Sequence, residues 1–117
     1  MTNFIELESF TEKGGIVTIN TDRIIMVDAA EWEGTLITLT GDRAITVKEG
    51  YTYVSQELCS NKNFIELTPS NEKGGLVTIN KDHFLLLEED RWNGTLITLT
   101  SDKTINVVEG YAYVCKI

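Results

Sequence analysis

The chain has 117 residues, with 18 Asp and Glu against 10 Lys and Arg, which gives a formal net charge of −8 and a pI near 4.5. A surface this acidic repels phosphate groups, so we expect neither nucleic acid nor an anionic membrane as a partner. No apolar run approaches the roughly 20 residues of a membrane span.

An internal repeat with an offset of sixty residues organises the chain. Residues 3–56 align with residues 63–116 without a gap, and 30 of these 54 positions are identical. The sequence GTLITLT occurs in both copies. Two copies are too few for a solenoid, so the pattern indicates a tandem duplication. The predicted boundaries are residues 1–56 for β-rich repeat 1, 57–62 for a short linker and 63–117 for β-rich repeat 2.

The first repeat shows the alternation of apolar and polar residues that is typical of short β-strands. In chain order the predicted strands are Phe4–Leu7, Ile16–Asn20, Arg23–Val27, Thr35–Thr40 and Arg43–Lys48. The third of these strands, and its counterpart in the second copy, His83–Leu87, are apolar on both faces. Such strands are usually covered on both sides, and we expect this in both repeats.

A short amphipathic helix is predicted at the end of each repeat. Tyr51, Val54 and Leu58 follow the helical spacing i, i+3 and i+7, and the second copy repeats this pattern at its C-terminus. A unit of under sixty residues is only marginally stable alone, so the repeats should pack together. The predicted fold class is mainly β: two tandem β-meander repeats, each with about five short strands and a terminal helix, packed with pseudo-two-fold symmetry.

The two cysteines bear on metal binding and on location. Cys59 lies in the predicted linker, and Cys115 aligns with Ser55 of the first copy. Neither belongs to a spaced set of zinc ligands. We predict reduced thiols and a cytoplasmic protein.

A recurrent pattern of strand and turn residues carries a family resemblance. Its parts are Phe4–Leu7, Val17–Asn20 with Asp22, the shared GTLITLT, and Ile45–Glu49, with their second-copy counterparts. This pattern resembles FlbD-type flagellar and swarming-motility small proteins, and the chain looks like two such units in tandem. Members of that family are non-enzymatic, so the resemblance implies an accessory or regulatory role without a known site.

A fainter similarity concerns an asparagine-led strand, an isoleucine and a closing G…I.V pattern. These features are similar to the last strands of LytTR-type DNA-binding domains. Four Lys and Arg stand against nine Asp and Glu in residues 1–56, and five against eight in residues 63–117. Because the basic residues that would face phosphates are lacking, we expect no DNA binding.

No residue pattern predicts an active site. His83, the single histidine, replaces Arg23 of the first copy and is expected to be an exposed strand-edge residue. The shared carboxylates at Asp22, Asp42 and Glu49 are better explained by turn formation and helix capping than by acid–base chemistry. Neither a calcium loop nor a phosphate-binding loop is present. We therefore predict no enzymatic activity, no cofactor and no metal site.

Aromatic residues are the candidates for an interface or a ligand site: Trp32, Trp92, Tyr51 and Tyr111. Both tryptophans lie in polar connections, where an indole can anchor a partner or fold back on its own hairpin or on the other repeat. The tyrosines can bury the ring and leave the hydroxyl in water.

These observations favour a non-catalytic protein-interaction or assembly module of accessory or regulatory type. Its expected partner is another protein or a second copy of the chain in a homo-oligomer. The alternative is a small-ligand binding or sequestering protein with an aromatic cleft between the repeats.

Overall fold

The two repeats fold into the same series of elements. The computed structural model describes residues 4–10, 14–30, 33–70, 75–90 and 94–117. Repeat 1 contains β1 (Phe4–Glu8), β2 (Ile16–Asn20), a 3₁₀ turn (Thr21–Arg23), β3 (Ile24–Ala29), β4 (Thr35–Leu39), β5 (Arg43–Val47) and α1 (Tyr51–Cys59). Repeat 2 contains β6 (Phe64–Leu67), β7 (Val77–Asn80), a second 3₁₀ turn (Lys81–His83), β8 (Phe84–Glu89), β9 (Thr95–Leu99), β10 (Thr104–Val107) and α2 (Tyr111–Lys116). The prediction of five strands and a terminal helix per repeat is confirmed.

Three antiparallel sheets are built from these strands. β1 and β2 form a two-stranded sheet, β5-β4-β3-β7-β6 form a central five-stranded sheet, and β10-β9-β8 form a three-stranded sheet. The central sheet joins the repeats, because β3 of repeat 1 pairs with β7 of repeat 2 and places Met26 opposite Ile79. Equivalent strands of the two repeats thus lie in different sheets.

The predicted pseudo-two-fold symmetry is wrong. A two-fold axis between the repeats would exchange β3 with β8 and β7 with β2. If β3 pairs with β7, such an axis therefore requires β8 to pair with β2. Instead, β2 lies in the two-stranded sheet and β8 in the three-stranded sheet. The repeats are therefore arranged head to tail, with a different face of each repeat at their interface.

The central sheet separates two hydrophobic cores. Ile24 and Val27 of β3 are buried in one core, with Leu58 of α1, whereas Ile25 is buried in the other, with Ile97 of the three-stranded sheet. A β-bulge between Ile24 and Met26 shifts the register of β3 against β4. The prediction that this strand is covered on both faces is confirmed for β3.

The equivalent strand of repeat 2 has a different environment. β8 is an edge strand with β9 as its neighbour in the sheet. Leu85 is 61% exposed and Leu86 is 50% exposed, whereas Ile25, the counterpart of Leu85, is 1% exposed. The expected cover on both faces is therefore wrong for β8, because Phe84 and Leu87 pack against one core, whereas β3 lies between two.

The shared GTLITLT sequence has a local cause in each copy. A Cβ atom on Gly34 or Gly94 would collide with the carbonyl oxygen of Val47 at the end of β5 or of Val107 at the end of β10. The next residue in each copy is a threonine, whose buried hydroxyl donates to the carbonyl oxygen of Glu49 or Glu109, at 2.7 and 2.9 Å. Both copies need the small residue and the hydroxyl to close the end of the meander.

Helix α1 extends into the predicted linker. It ends at Cys59, so residues 57–59 are helical, and residues 60–63 form the turn that leads into β6. Val54 and Leu58 bury one face of α1 against the first core. In the part of the chain that the structure describes, no helix is long and apolar enough to cross a membrane.

Candidate functional site

The predicted aromatic site residues are not brought together. Trp32 and Trp92 lie outside the described residues. Tyr51 is half-buried at the start of α1, whereas its counterpart Tyr111 is 40% exposed. These two tyrosines therefore have different environments despite their equivalent positions.

Tyr51 belongs to a cluster of polar side chains that joins the repeats. Its hydroxyl donates to Oε2 of Glu66 at 2.9 Å and lies 2.8 Å from Oγ1 of Thr78. Ser55, one turn further along α1, is 2.7 Å from the same Thr78 oxygen. Burial raises the pKa of Tyr51 to about 12, so the phenol stays protonated and can donate. The cluster connects α1 of repeat 1 to β6 and β7 of repeat 2.

Asp28 is a half-buried carboxylate with one oxygen atom that lacks a hydrogen-bond partner among the described residues. It lines a cleft of about 670 Å³ that also borders Tyr51, Ser55 and Glu66. Its Oδ1 atom is buried and has no hydrogen-bond partner among the described residues. Burial raises the pKa of Asp28, and the positive charge of Lys103 opposes this shift.

The described residues indicate neither a metal site nor a reactive thiol. Across the described ranges, no three His, Cys, Asp or Glu side chains are placed to hold a metal ion. Cys59 and Cys115 are free thiols, and partial burial of the Cys59 thiol raises its pKa.

The shared carboxylates have structural contacts. Glu49 accepts hydrogen bonds from the backbone N–H of Glu8, and Glu109 accepts the same bonds from Thr68, all near 3.0 Å. Asp42 adopts a left-handed φ of 59° in the turn between β4 and β5. These contacts tie the end of each meander to its first strand.

Three short turns from both repeats meet at one end of the central sheet, and we call them the three-turn patch: residues 20–23, 60–63 and 80–83. The backbone N–H of Lys81 donates to the carbonyl oxygen of Asn63 at 2.7 Å. The Asn63 amide donates to Oδ2 of Asp82 at 3.2 Å. Asn80, which is buried, donates its side-chain amide to the carbonyl oxygen of Ile24 at 3.0 Å. The first two bonds join two turns near the start of repeat 2, and the third crosses from repeat 2 to repeat 1.

His83 is part of this patch and is not the exposed strand-edge residue that the sequence predicts. It ends the second 3₁₀ turn, is half-buried, and has its Nε2 atom 2.8 Å from the carbonyl oxygen of Asp22. Its Nδ1 atom lies 2.9 Å from the Thr100 hydroxyl. Because a carbonyl oxygen only accepts, Nε2 carries the proton and His83 links the two 3₁₀ turns.

The charged residues of the sequence indicate this patch, although strand periodicity does not take them into account. Arg23 and Lys62 are exposed, and Lys81 is half-exposed where the first copy has Thr21. The patch contains three Lys and Arg against two Asp, whereas the rest of the chain contains seven against sixteen Asp and Glu. This local difference in charge becomes visible when equivalent positions of the two repeats are compared, and it is lost when the charges of a whole repeat are added together.

The fold is similar to that of a solved DNA-binding domain. The LytTR DNA-binding domain of a response regulator from Bacillus cereus superposes with a TM-score of 0.66 and 12% sequence identity. The likeness covers 97% of this chain and 93% of that domain. No family model matches the chain, and no curated protein matches it by sequence. The chain therefore has a LytTR-like fold.

This likeness corrects the family resemblance drawn from the sequence. The resemblance to FlbD-type small proteins is wrong, because the fold over nearly the whole chain is that of a LytTR domain. Its pattern consisted of alternating apolar residues and turn glycines, which many antiparallel hairpins share. The LytTR similarity was set aside because of net charge, but net charge describes a surface and does not determine a fold.

The same finding corrects the predicted function and partners. The match is to a domain described as DNA-binding. It contradicts the protein-interaction or assembly module, with its protein partner or self-association, and also the alternative of a small-ligand binding protein. The exclusion of nucleic acid is likewise wrong. The matched fold is non-catalytic, and on that ground the prediction that the chain is not an enzyme is confirmed.

Proposed function

We propose that this chain is a DNA-binding module that associates with double-stranded DNA. One observation carries the proposal: the LytTR-like fold spans 97% of the chain and 93% of a domain described as DNA-binding. The likeness therefore involves all three sheets and not one hairpin. A cytoplasmic location, predicted from the cysteines, forms part of the proposal.

The net charge of −8 determines what kind of binding is expected. Non-specific DNA binding depends on Lys and Arg that neutralise phosphates and release counterions. An acidic chain has few such contacts, so we expect weak association with arbitrary DNA. Affinity for a preferred sequence then requires contacts to base edges or to DNA shape, in addition to a few phosphates.

Selection from a random pool of duplexes tests the proposal. The protein is immobilised, bound duplexes are amplified through several rounds, and the enriched duplex is labelled for fluorescence anisotropy. We expect a saturable rise in anisotropy at about 50 mM salt that weakens strongly by about 200 mM. A shuffled duplex of the same composition is the control, and it should bind at least about tenfold more weakly. Failure of every enriched duplex to bind at the lower salt concentration would overturn the proposal.

A further inference from the structure

We infer that the open edge of β8 is an interaction surface for β2 of a second copy of this chain. The contact would repeat the junction of β3 with β7, in which one repeat already receives a strand from the other. It goes beyond the proposed DNA binding and does not depend on it. The likeness to the LytTR domain contradicts assembly as the function of the chain, and this contact is a further property of the proposed DNA-binding module.

The head-to-tail arrangement leaves one strand edge open at each end of the molecule. Among the described strands, β3 lies between β4 and β7, whereas its equivalent β8 has β9 alone as a neighbour. Likewise, β7 lies between β3 and β6, whereas its equivalent β2 has β1 alone. An open edge presents backbone N–H and C=O groups to which a further strand can pair. The two open edges are therefore the two halves of the junction that the repeats form within the chain.

The β8 edge is apolar and exposed where β3 is covered. Leu85 is 61% exposed and Leu86 is 50% exposed, and the equivalent residues of repeat 1, Ile25 and Met26, are also apolar. Ile25 is covered because it packs in the core of repeat 2, with Ile79 of β7. Docking of a second copy would cover Leu85 in the same way, against the core of that copy's repeat 1.

The β2 side carries the residues with which repeat 2 fills its half of the junction. The sequences FIEL and VTIN occur in β1 and β2 and again in β6 and β7. Phe64 is 4% exposed because it packs in the core of repeat 1, whereas its equivalent Phe4 is 60% exposed. Thr78 is buried, whereas its equivalent Thr18 is exposed. Docking on β8 would bury both exposed residues as the junction buries their equivalents.

The polar cluster of the junction also has counterparts at the open edges. Within the chain, Tyr51 of α1 donates to Glu66 of β6 and contacts a threonine of β7. The equivalent residues are Tyr111, next to β8, and Glu6 and Thr18 on the β2 side, and all three are exposed. The same hydrogen bonds can therefore form between two copies, with Tyr111 as the donor.

The pairing register of the contact follows from the junction. Within the chain, β3 and β7 are antiparallel, and Met26 lies opposite Ile79. The equivalent pair between two copies is Leu86 with Ile19. Pairing in this register would satisfy the backbone groups of both edges and cover the apolar side chains together.

Charge determines the conditions that favour the contact. Glu88 and Glu89 of β8 stand where repeat 1 has Asp28 and Ala29, and each copy carries a net charge of −8. Salt shortens the range of the repulsion between two such copies, from about 10 Å at 0.1 M to about 3 Å at 1 M. Added salt should therefore strengthen this contact, whereas it weakens binding to DNA.

Sedimentation velocity of the wild-type chain without DNA tests the contact. A head-to-tail contact leaves β2 of one copy and β8 of the other open, so further copies can add. We expect monomer in equilibrium with a series of larger species that grows with concentration, and more so at about 1 M than at about 0.1 M salt. A chain that stays monomeric up to its solubility limit at both salt concentrations would overturn the inference.

Single lysine substitutions test each edge. Leu85→Lys places a charge on the β8 edge and Thr18→Lys places one on the β2 side, and both positions are exposed in the monomer. Val108→Lys is the matched control, because Val108 is 55% exposed and lies on neither strand. Circular dichroism checks that all three variants are folded. We expect both edge variants to be monomeric and the control to associate like wild type, and any other pattern would overturn the assignment of the edges.

Mixing the two edge variants gives the sharpest result. Leu85→Lys keeps an open β2 and Thr18→Lys keeps an open β8, so the mixture should form a one-to-one pair and nothing larger. A mixture that stays monomeric, or that forms species larger than the pair, would overturn the pairing of β8 with β2. Because none of these measurements involves DNA, failure of the contact leaves the proposed function untouched, and failure to bind DNA leaves the contact untouched.

Discussion

Asp28 and Glu88 occupy equivalent positions in the two repeats, but Asp28 is half-buried and Glu88 is exposed. Asp28 lies opposite Val77 in the pairing of β3 with β7. Glu88 lies opposite Leu96 on β8, which is an edge strand. The duplication thus places one position of the repeat in two environments, and pairs of equivalent residues become internal controls.

Replacing Asp28 with Asn should stabilise the protein at neutral pH. Burial raises the pKa of Asp28 above its ordinary value of 3.8, so the folded state favours the protonated form. The ionised carboxylate therefore destabilises the folded state, and this penalty grows as pH rises through the folded-state pKa. Asn resembles the protonated form, so Asp28→Asn should raise the melting temperature.

The dependence on pH distinguishes this cause from a general effect of charge. The gain from Asp28→Asn should shrink as pH falls toward and below 3.8, because Asp28 is protonated in both states only below that value. Glu88→Gln removes the same charge from the equivalent exposed position and should change stability by less than about 0.5 kcal/mol. Equal effects from both substitutions in thermal melts would contradict the account of Asp28.

Tyr51→Phe tests the polar cluster between the repeats. It removes the hydroxyl that donates to Glu66 and contacts Thr78, so the free energy of unfolding should fall by about 1 kcal/mol. The matched variant Tyr111→Phe alters an exposed side chain and should stay within about 0.5 kcal/mol of wild type. Chemical denaturation measures both values, and a larger loss in Tyr111→Phe would refute this role for Tyr51.

Asn20 and Asn80 cap the two 3₁₀ turns, and Asn80 also donates a hydrogen bond across the repeats. Asn20→Ala should cost about 1 kcal/mol through loss of the cap. Asn80→Ala also removes the buried bond to the carbonyl oxygen of Ile24, so its cost should be about 2–3 kcal/mol. Denaturant melts of both variants give the difference, and equal costs would mean that the cross-repeat bond contributes nothing.

The elements within each repeat could be predicted because their pattern is local. Val17 and Ile19 alternate with Thr18, and Val54 and Leu58 follow a helical spacing, so the strands and helix of the first repeat follow from its sequence. The relation between the repeats is not local. Ile25 and Leu85 are both aliphatic, and only the pairing of β3 with β7 decides that the first is covered and the second exposed.

The three-turn patch was missed for a similar reason. Lys62 lies in the predicted linker and Lys81 aligns with Thr21 of the first copy, and their proximity depends on the bond between Lys81 and Asn63. Summing the charge over each repeat hid the local excess of cations. The turn that contains Arg23 joins them because the repeats pack head to tail, with His83 bonded to the carbonyl oxygen of Asp22.

An amide NMR titration with the selected duplex tests the central claim, DNA binding, most directly. On addition of duplex at about 50 mM salt, the account predicts saturable shifts at a contiguous set of surface amides, with reversal by about 200 mM salt. A spectrum that does not respond to any duplex at the lower salt concentration would contradict the claim.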